Sequence, residues 1–388
     1  MVEGLGVSQV FALLPAQLHG LGVPDGDRLQ FIGLFSALLF VLGMPLVPLW
    51  GVWADKYSRK AVIVRSAIVE AVVFTGMALA TEPWHVAVSV LLIGFQLGNT
   101  GVMLAGIRDA TPHHRLGTVI ALFGASGPVG FAAGPTLAGI LIDGLGWSIG
   151  GVFALSAVLS LGTAALVTFG SREIRPEVVP EGRVLPLAFG AIRGVLSDRA
   201  VRSIFLIFGT AFLAGQMSRP YVPVVVERVI GLGPGLASGI ALVAGTAALA
   251  GALLSPLAGA LGDRIGFRLV LVGALLGGAV AVGLMPIVPG IGGIPLLAAV
   301  AVVFAACTSA ISAMVFGLLA TEVSAERRSQ TLNLVYLPLY AAGIVGPALG
   351  SVVVQAGLPA PFFLGTVVFL AGALIVLRRH PVPAPAPA

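Results

Sequence analysis

"GVWADKYSRK", residues 51–60, lies between two apolar runs, "FIGLFSALLFVLGMPLVPLW" at 31–50 and "AVIVRSAIVEAVVFTGMALA" at 61–80. Each run is long enough to cross a bilayer, which takes about 20 apolar residues. Asp55, Lys56, Arg59 and Lys60 therefore crowd into one turn between two membrane crossings. The rest of the chain has the same character. Of 388 residues, 58% are hydrophobic and 10% are charged, whereas a soluble domain carries about 25% charged residues. This balance argues against a water-soluble protein and predicts an all-α integral membrane protein.

Twelve apolar helices are expected, at roughly 2–22, 30–53, 61–80, 85–107, 117–142, 148–169, 203–226, 238–260, 269–288, 295–320, 331–354 and 361–377. A polar, proline-containing stretch at 171–202 divides them six and six. The expected units are residues 1–170, a linker at 171–202, residues 203–380, and an extended proline-rich tail at 381–388, "PVPAPAPA". No charged, short apolar and cleavable leader is recognised at the start.

Charge sets the orientation. With the first residues in the cytoplasm, 18 of the 21 lysines and arginines fall on the cytoplasmic side, in or beside the turns after helices 2, 4, 8, 10 and 12 and in the linker. Arg28 and Arg228 fall on the other side, and Arg219 lies within a helix. Positive residues mark cytoplasmic loops, so both termini are expected there. The basic character of the chain follows from this topology and speaks against a nucleic-acid partner.

The halves repeat. Gly51 and Asp55 recur at an offset of 208 as Gly259 and Asp263 in "GALGDRIGFR", which continues with Arg264 and Arg268. Pro15 and Pro223 share that offset, and Arg115, Gly134 and Pro135 recur at 212 as Arg327, Gly346 and Pro347. With six helices each, the two bundles are parallel, an arrangement frequent in secondary transporters. By the same offsets the first helix is shorter by about five residues at its cytoplasmic end than the seventh.

The turn with Gly51, Asp55, Lys56, Arg59 and Lys60, its copy at 259–268, and "GFAAGPTLAG" at 130–139 together resemble the major facilitator superfamily over essentially the whole chain. Gly51 would let two helix ends approach, Asp55 could accept backbone N–H bonds at a helix end, and Arg59 and Lys60 would hold the turn in the interface. The resemblance implies two six-helix bundles around a central cavity that opens alternately to each side. It implies that Asp55 faces the start of helix 11 near Gln330, and Asp263 the start of helix 5 near Gly117, when the cytoplasmic side is closed. In helix 5, Gly130, Gly134, Pro135 and Gly139 resemble the antiporter motif of the drug-efflux branch. Glycines four apart allow backbone contact between helices, and Pro135 bends the helix. Ala121 stands where the motif has a glycine. In "LLIGFQLGNTG" (91–101), Gln96 and Asn99 stand where proton antiporters of this branch carry an arginine. The resemblance thus implies efflux and leaves proton coupling open.

Polar groups at membrane depth are costly and mark pathways or pairs. Glu70 lies roughly 15 Å along helix 3 at 1.5 Å per residue, as a proton carrier or a structural partner. Gln216 and Arg219 share a face of helix 7 near Pro220 and Pro223. Gln96 and Asn99 are three apart on helix 4, and Tyr336 and Tyr340 one turn apart on helix 11. These are the candidate cavity residues, with core packing open for the tyrosines. Arg65 could snorkel, and Glu3 is placed at the cytoplasmic edge.

The five histidines show no metal-ligand pattern, no phosphate-binding G-x-x-x-x-G-K-[ST] occurs, and the single Cys307 cannot form an internal disulfide. No cofactor, metal or enzymatic activity is expected. The expectation is a monomeric secondary transporter of the bacterial inner membrane that exports a small amphipathic compound, with protons as possible co-substrate. A sugar or metabolite carrier and a transport-inactive receptor are the alternatives. A reporter fused after Arg379 should be active only as a cytoplasmic fusion; periplasmic activity there would overturn the helix count.

Overall fold

Proline, serine and glycine punctuate the apolar runs, and the helices start and stop at them. In the computed structural model, which describes residues 1–176, 179, 181–197, 199–322, 334 and 337–378, every regular element is helical. The first half holds α1 (Val2–Gly20), α2 (Asp25–Val41), α3 (Gly43–Lys56), α4 (Arg59–Ala78), α5 (Pro83–Ile93), α6 (Asn99–Ala110), α7 (His113–Gly139) and α8 (Ile149–Gly170). The second holds α10 (Arg199–Ser218), α11 (Val222–Ile230), α12 (Leu236–Ile240), α13 (Thr246–Ile265), α14 (Phe267–Leu284), α15 (Pro289–Glu322), α16 (Leu337–Val353) and α17 (Ala360–Arg378). Between them lies α9 (Val184–Ser197), an amphipathic helix in the linker that packs on α3.

The starts have local causes. Ser58 Oγ accepts from Ala61 N at 2.9 Å to cap α4, Ser148 caps α8 in the same way, and Pro83 occupies the first turn of α5 behind Glu82. Such caps satisfy backbone donors that the helix itself cannot.

Paired pieces form single crossings. α2 continues into α3, α5 into α6 through a 3₁₀ turn at Gly94–Gln96, α10 into α11 through Arg219–Tyr221, and α12 into α13 through a π turn at Ala241–Gly245. Eleven of the resulting segments are long and apolar enough to span a membrane. α1 is the twelfth crossing of the fold and is not among these eleven, because Glu3, Gln9, Gln17 and His19 interrupt it. It can be so because protein rather than lipid surrounds it: Val10, Leu13, Leu14 and Leu18 are all buried. Lipid instead meets α4, α8, α14 and α17, where Val72, Leu166, Phe169, Val280 and Val367 stand exposed. The chain is a multi-pass membrane protein of two pseudo-symmetric six-helix bundles.

The helix boundaries depart from expectation in three places. Helix 4 is not continuous: Leu97 is extended and Gly98 adopts φ +94°, so the chain breaks before α6. Helix 7 reaches Ile230 rather than 226, and is itself interrupted at Arg219–Tyr221. The linker contains α9. The expected start of helix 11 at 331, and the tail at 381–388, lie outside the described residues.

Helix alternation puts the turns near Tyr57, Thr111 and Gly266, and the linker, on one face, here the basic face; the turns near Leu21, Gly146, Gly231 and Gly357 lie on the distal face. Within each bundle one helix contact repeats. α7 packs on α1 so closely that a Cβ on Gly130 or Gly134 would strike the backbone of Met1 or Leu5. At the equivalent place α16 packs on α10: a Cβ on Gly346 would lie 3.1 Å from the Leu213 carbonyl, and one on Gly350 2.8 Å from that of Met217. Small residues permit this approach where no hydrophobic effect drives helices together. Gly134→Leu should therefore destabilise the first bundle by about 1–3 kcal/mol through overpacking, read as a lower melting temperature in detergent. Gly124→Leu, on the same helix but facing open space, should melt as the parent does.

Candidate transport pathway and gates

The two bundles meet toward the distal face. There Arg28, at the start of α2, forms a bidentate ion pair with Glu227 of α11: Nη2 donates to Oε1 at 2.6 Å and Nη1 to Oε2 at 3.2 Å. Both side chains are buried, and Asp25 adds a contact to Arg28 at 3.1 Å. Asp143, at the end of α7, accepts from the backbone N–H of Ser238 in α12 at 2.7 Å. Tyr221, fully buried, wedges against Gly33 of α2, which also faces the Pro347 carbonyl and Ser351 of α16. Gly139 lies against Ala237 and Ser238. Closer to the middle, the rings of Phe40 and Tyr340 meet across the bundles at 6.0 Å, tilted by 34°, and the start of α13 still touches α7, Gly245 against Ala132 and Thr136.

Toward the basic face the bundles part. A side chain at Gly117 or Gly127 of α7, or at Gly259 of α13, would meet nothing, and Leu122, Leu253 and Leu257 are exposed. Among the described residues, the bundles are sealed distally and stand apart toward the basic face.

In that open end, among the described residues, the charges of the first turn pair within their own half. Asp55 Oδ1 accepts from Arg59 Nε at 2.8 Å, and Arg59 Nη1 donates to Asp109 at 2.7 Å. Arg59 is buried between the two carboxylates rather than anchored in the interface. The carboxylate at the α4 N-terminus is not Asp55 but Glu173 of the linker, which accepts from the backbone N–H of Arg59 at 2.9 Å and of Lys60 at 3.3 Å, and from Ser58 Oγ. Lys60 Nζ donates to the Ser171 carbonyl at 2.8 Å, and Lys56 to that of Gly182. The turn thus clamps the linker. Gly51 is helical and faces open space, so it makes no close approach here. In the second copy Asp263 and Arg264 are exposed, and Arg268 donates to the Leu377 carbonyl at 2.6 Å.

Arg219 lies where the opening ends, two residues before the buried Tyr221. Its guanidinium stands over the rings of Phe11 (4.8 Å) and Phe131 (5.3 Å), both from the first bundle. It has no hydrogen bond or ion pair among the described residues, and it is exposed. An arginine at the centre of a membrane helix costs about 2.5–3.5 kcal/mol on insertion scales. Each cation–π contact at an exposed site returns about 0.5–1 kcal/mol, so the two rings offset that cost only in part. Gln216 is buried one turn earlier, against Gly346.

A second polar cluster is buried inside the first bundle. Glu70 is 3% exposed and accepts from Ser160 Oγ of α8 at 3.1 Å. Glu3 accepts from Asn99 Nδ2 at 3.0 Å. The break in helix 4 frees carbonyls, and Arg65 Nη2 donates to those of Gln96 and Leu97 at 3.2 and 3.4 Å while its guanidinium lies 3.7 Å from the Trp50 ring. No cluster of His, Cys, Asp or Glu suited to a metal occurs among the described residues.

The family model described as Major Facilitator Superfamily matches residues 1–248 and 232–388. The chain belongs to the Major Facilitator Superfamily. Among named relatives, the "Multi-drug resistance efflux pump PmrA homolog" of Lactococcus lactis subsp. lactis is 27% identical over 275 residues, 70% of this chain and 66% of that protein. "Multidrug resistance protein MdtG" of Enterobacter lignolyticus is 27% identical over 277 residues, 71% of this chain and 65% of that protein. The alignment thus spans just under two thirds of these relatives. Solved structures share the fold: the nucleoside transporter NupG superposes with a TM-score of 0.75 at 14% identity, covering 97% of this chain and 96% of that one. A POT family transporter in complex with a thioalcohol conjugated peptide gives 0.74 at 14% identity, covering 97% and 93%.

Against this superfamily frame, the sequence-derived residues fall into three groups. Arg219 is exposed beside Phe11 and Phe131, and Tyr340 contributes to the contact between bundles. Gln96 and Asn99 do not share a helix face, since the break at Gly98 separates them. Gln96 is buried in the first bundle and Asn99 binds Glu3, so neither lines the cavity in this conformation. Arg65 does not snorkel but turns inward to the broken helix, and Glu3 joins the interior cluster rather than staying at the edge. Gln330 and Tyr336 lie outside the described residues. Glu227, Arg28 and Glu173 were not singled out. Glu227 had a visible signal, a carboxylate in the apolar run "VVVERVI", and Arg28 stands against the positive-inside bias. Nothing local marks Glu173.

Removing one member of a buried ion pair costs about 3–5 kcal/mol because the other is left uncompensated. Arg28→Glu should therefore open the distal seal. In a Cys307→Ser background carrying Ser351→Cys, a position buried at that seal, maleimide labelling should speed up by an order of magnitude or more. Adding Glu227→Arg should return it to the slow rate.

Proposed function

We propose that this superfamily member is a secondary active exporter of small amphipathic compounds, with its basic face in the cytoplasm. The observation that carries the reading is the asymmetric closure: a polar seal between the bundles distally, and an apolar-walled cavity open on the basic face. Cargo entering that cavity from the cytoplasm or the inner leaflet would be released on the other side once the Arg28–Glu227 pair parts and the basic face closes. Such a bistable pair of gates is what alternating access needs. The names of the PmrA and MdtG relatives, which denote multidrug efflux, support export of drug-like cargo. In this reading both termini lie in the cytoplasm and the linker joins two rocking bundles, which the concentration of lysine and arginine on the basic face supports.

Glu70 is the coupling group in this reading. It is a carboxylate in the membrane interior, with the Ser160 hydroxyl as its one hydrogen-bond partner among the described residues and Glu3 within electrostatic reach. Taking up a proton removes a buried charge, and losing it restores one, so its protonation can bias the bundle that holds it. In proteoliposomes, Glu70→Gln should lose export driven by a pH gradient while keeping exchange of cargo down its own gradient. Gradient-driven export at the parent rate would eliminate Glu70 as the coupling site.

A further inference from the structure

We propose that Arg219, Phe11 and Phe131 form a cargo subsite, spanning the two bundles, for the anionic group of an aromatic organic anion. This rests on the exporter reading only in taking the central cavity as the cargo site. Three observations converge on it. Arg219 carries a permanent charge at the inner end of the opening and is exposed there, with no ion pair or hydrogen bond among the described residues. The carboxylates that could have neutralised it are engaged elsewhere: Glu227 with Arg28, Glu70 with Ser160 and Glu3 with Asn99. The rings of Phe11 and Phe131 stand beside the guanidinium, 4.8 and 5.3 Å from it, and offer apolar walls for the body of a ligand whose anionic group meets the charge.

The backbone favours the same use. Arg219 begins the 3₁₀ interruption that precedes Pro220 and Pro223, so it sits where α10 hands over to α11 rather than in a regular turn. Arginine can donate two parallel bonds to a carboxylate, sulfonate or phosphonate, a recognition lysine cannot copy. Because Arg219 belongs to one bundle and the two rings to the other, a bound anion touches both. The subsite would then come apart as the bundles move, which links occupancy to the switch.

The test uses the full chain in detergent, with fluorescein as the aromatic anion and ethidium as the aromatic cation, each followed by fluorescence anisotropy. The parent protein should bind fluorescein. In Arg219→Gln, the ratio of fluorescein to ethidium affinity should fall at least about tenfold, the loss of one charge-assisted pair. Arg219→Lys should fall between the two. Failure of the parent to bind fluorescein, or an unchanged ratio in Arg219→Gln at the parent's elution volume, would overturn the subsite. If both dyes weakened equally, Arg219 would be a brace for the Phe11 and Phe131 rings and the subsite would again be wrong. Parent proteoliposomes that export neither dye, while fluorescein binding still depends on Arg219, would remove the exporter reading and leave the subsite standing.

Discussion

Within a bilayer, water is not available to receive a freed carbonyl or a charge, so each must be satisfied by the protein or by a water-filled cavity. That constraint orders the interior of this molecule. The break at Gly98 would strand the carbonyls of Gln96 and Leu97, and Arg65 turns inward to receive them. The charge of Arg65 in turn rests on the face of Trp50. Glu70 takes the Ser160 hydroxyl, Glu3 takes Asn99, and Arg28 and Glu227 satisfy each other across the bundle interface. Arg219 is the exception that fits the constraint in its second form, since it is exposed to the cavity.

The same molecule separates contacts that must persist from contacts that can part. α7 on α1, and α16 on α10, touch backbone to backbone through Gly134 and Gly346. Such contacts hold the helices of each bundle closely together. Between the bundles glycine contacts also occur, Gly33 against the Pro347 carbonyl and Gly139 against Ala237 and Ser238, and polar ones join them: one ion pair and one carboxylate on a backbone N–H. These can be exchanged for water once the faces separate. The polar contacts that water can replace thus lie at the interface between the halves, where a rocking mechanism would have to part them.

Much of this was legible in the chain. The membrane class, the twelve crossings and the two-fold repeat follow from apolar length and from recurring Gly, Asp and Pro, because lipid imposes a period and a length on every crossing. What was not legible depends on pairing across sequence distance. Arg28 and Glu227 are 199 residues apart, and Glu173 reaches the start of α4 over 114. No local pattern announces such partners. Helix 4 misled for a different reason. "GFQLGNTG" is apolar enough to continue a helix, and Gly98 is free to leave it, so Gln96 and Asn99 seemed to share a face that does not exist.

The opening turn shows why a repeated motif need not repeat its chemistry. In the first copy Arg59 follows Asp55 by four residues, which stacks the two on one side across the turn and lets Nε reach the carboxylate. Asp109 then completes a network closed within one bundle. In the second copy the arginine comes one residue later: Phe267 occupies the fourth place and Arg268 the fifth. One residue of helix turns a side chain by about 100°. Arg268 accordingly points to α17 and binds the Leu377 carbonyl, and Asp263 is left exposed beside the open end. A carboxylate held by Arg59 must give up part of that pairing to engage the opposite bundle, whereas Asp263 gives up only water. Among the described residues the two turns are therefore unequally held: the first carboxylate is paired within its own bundle, and the second is exposed.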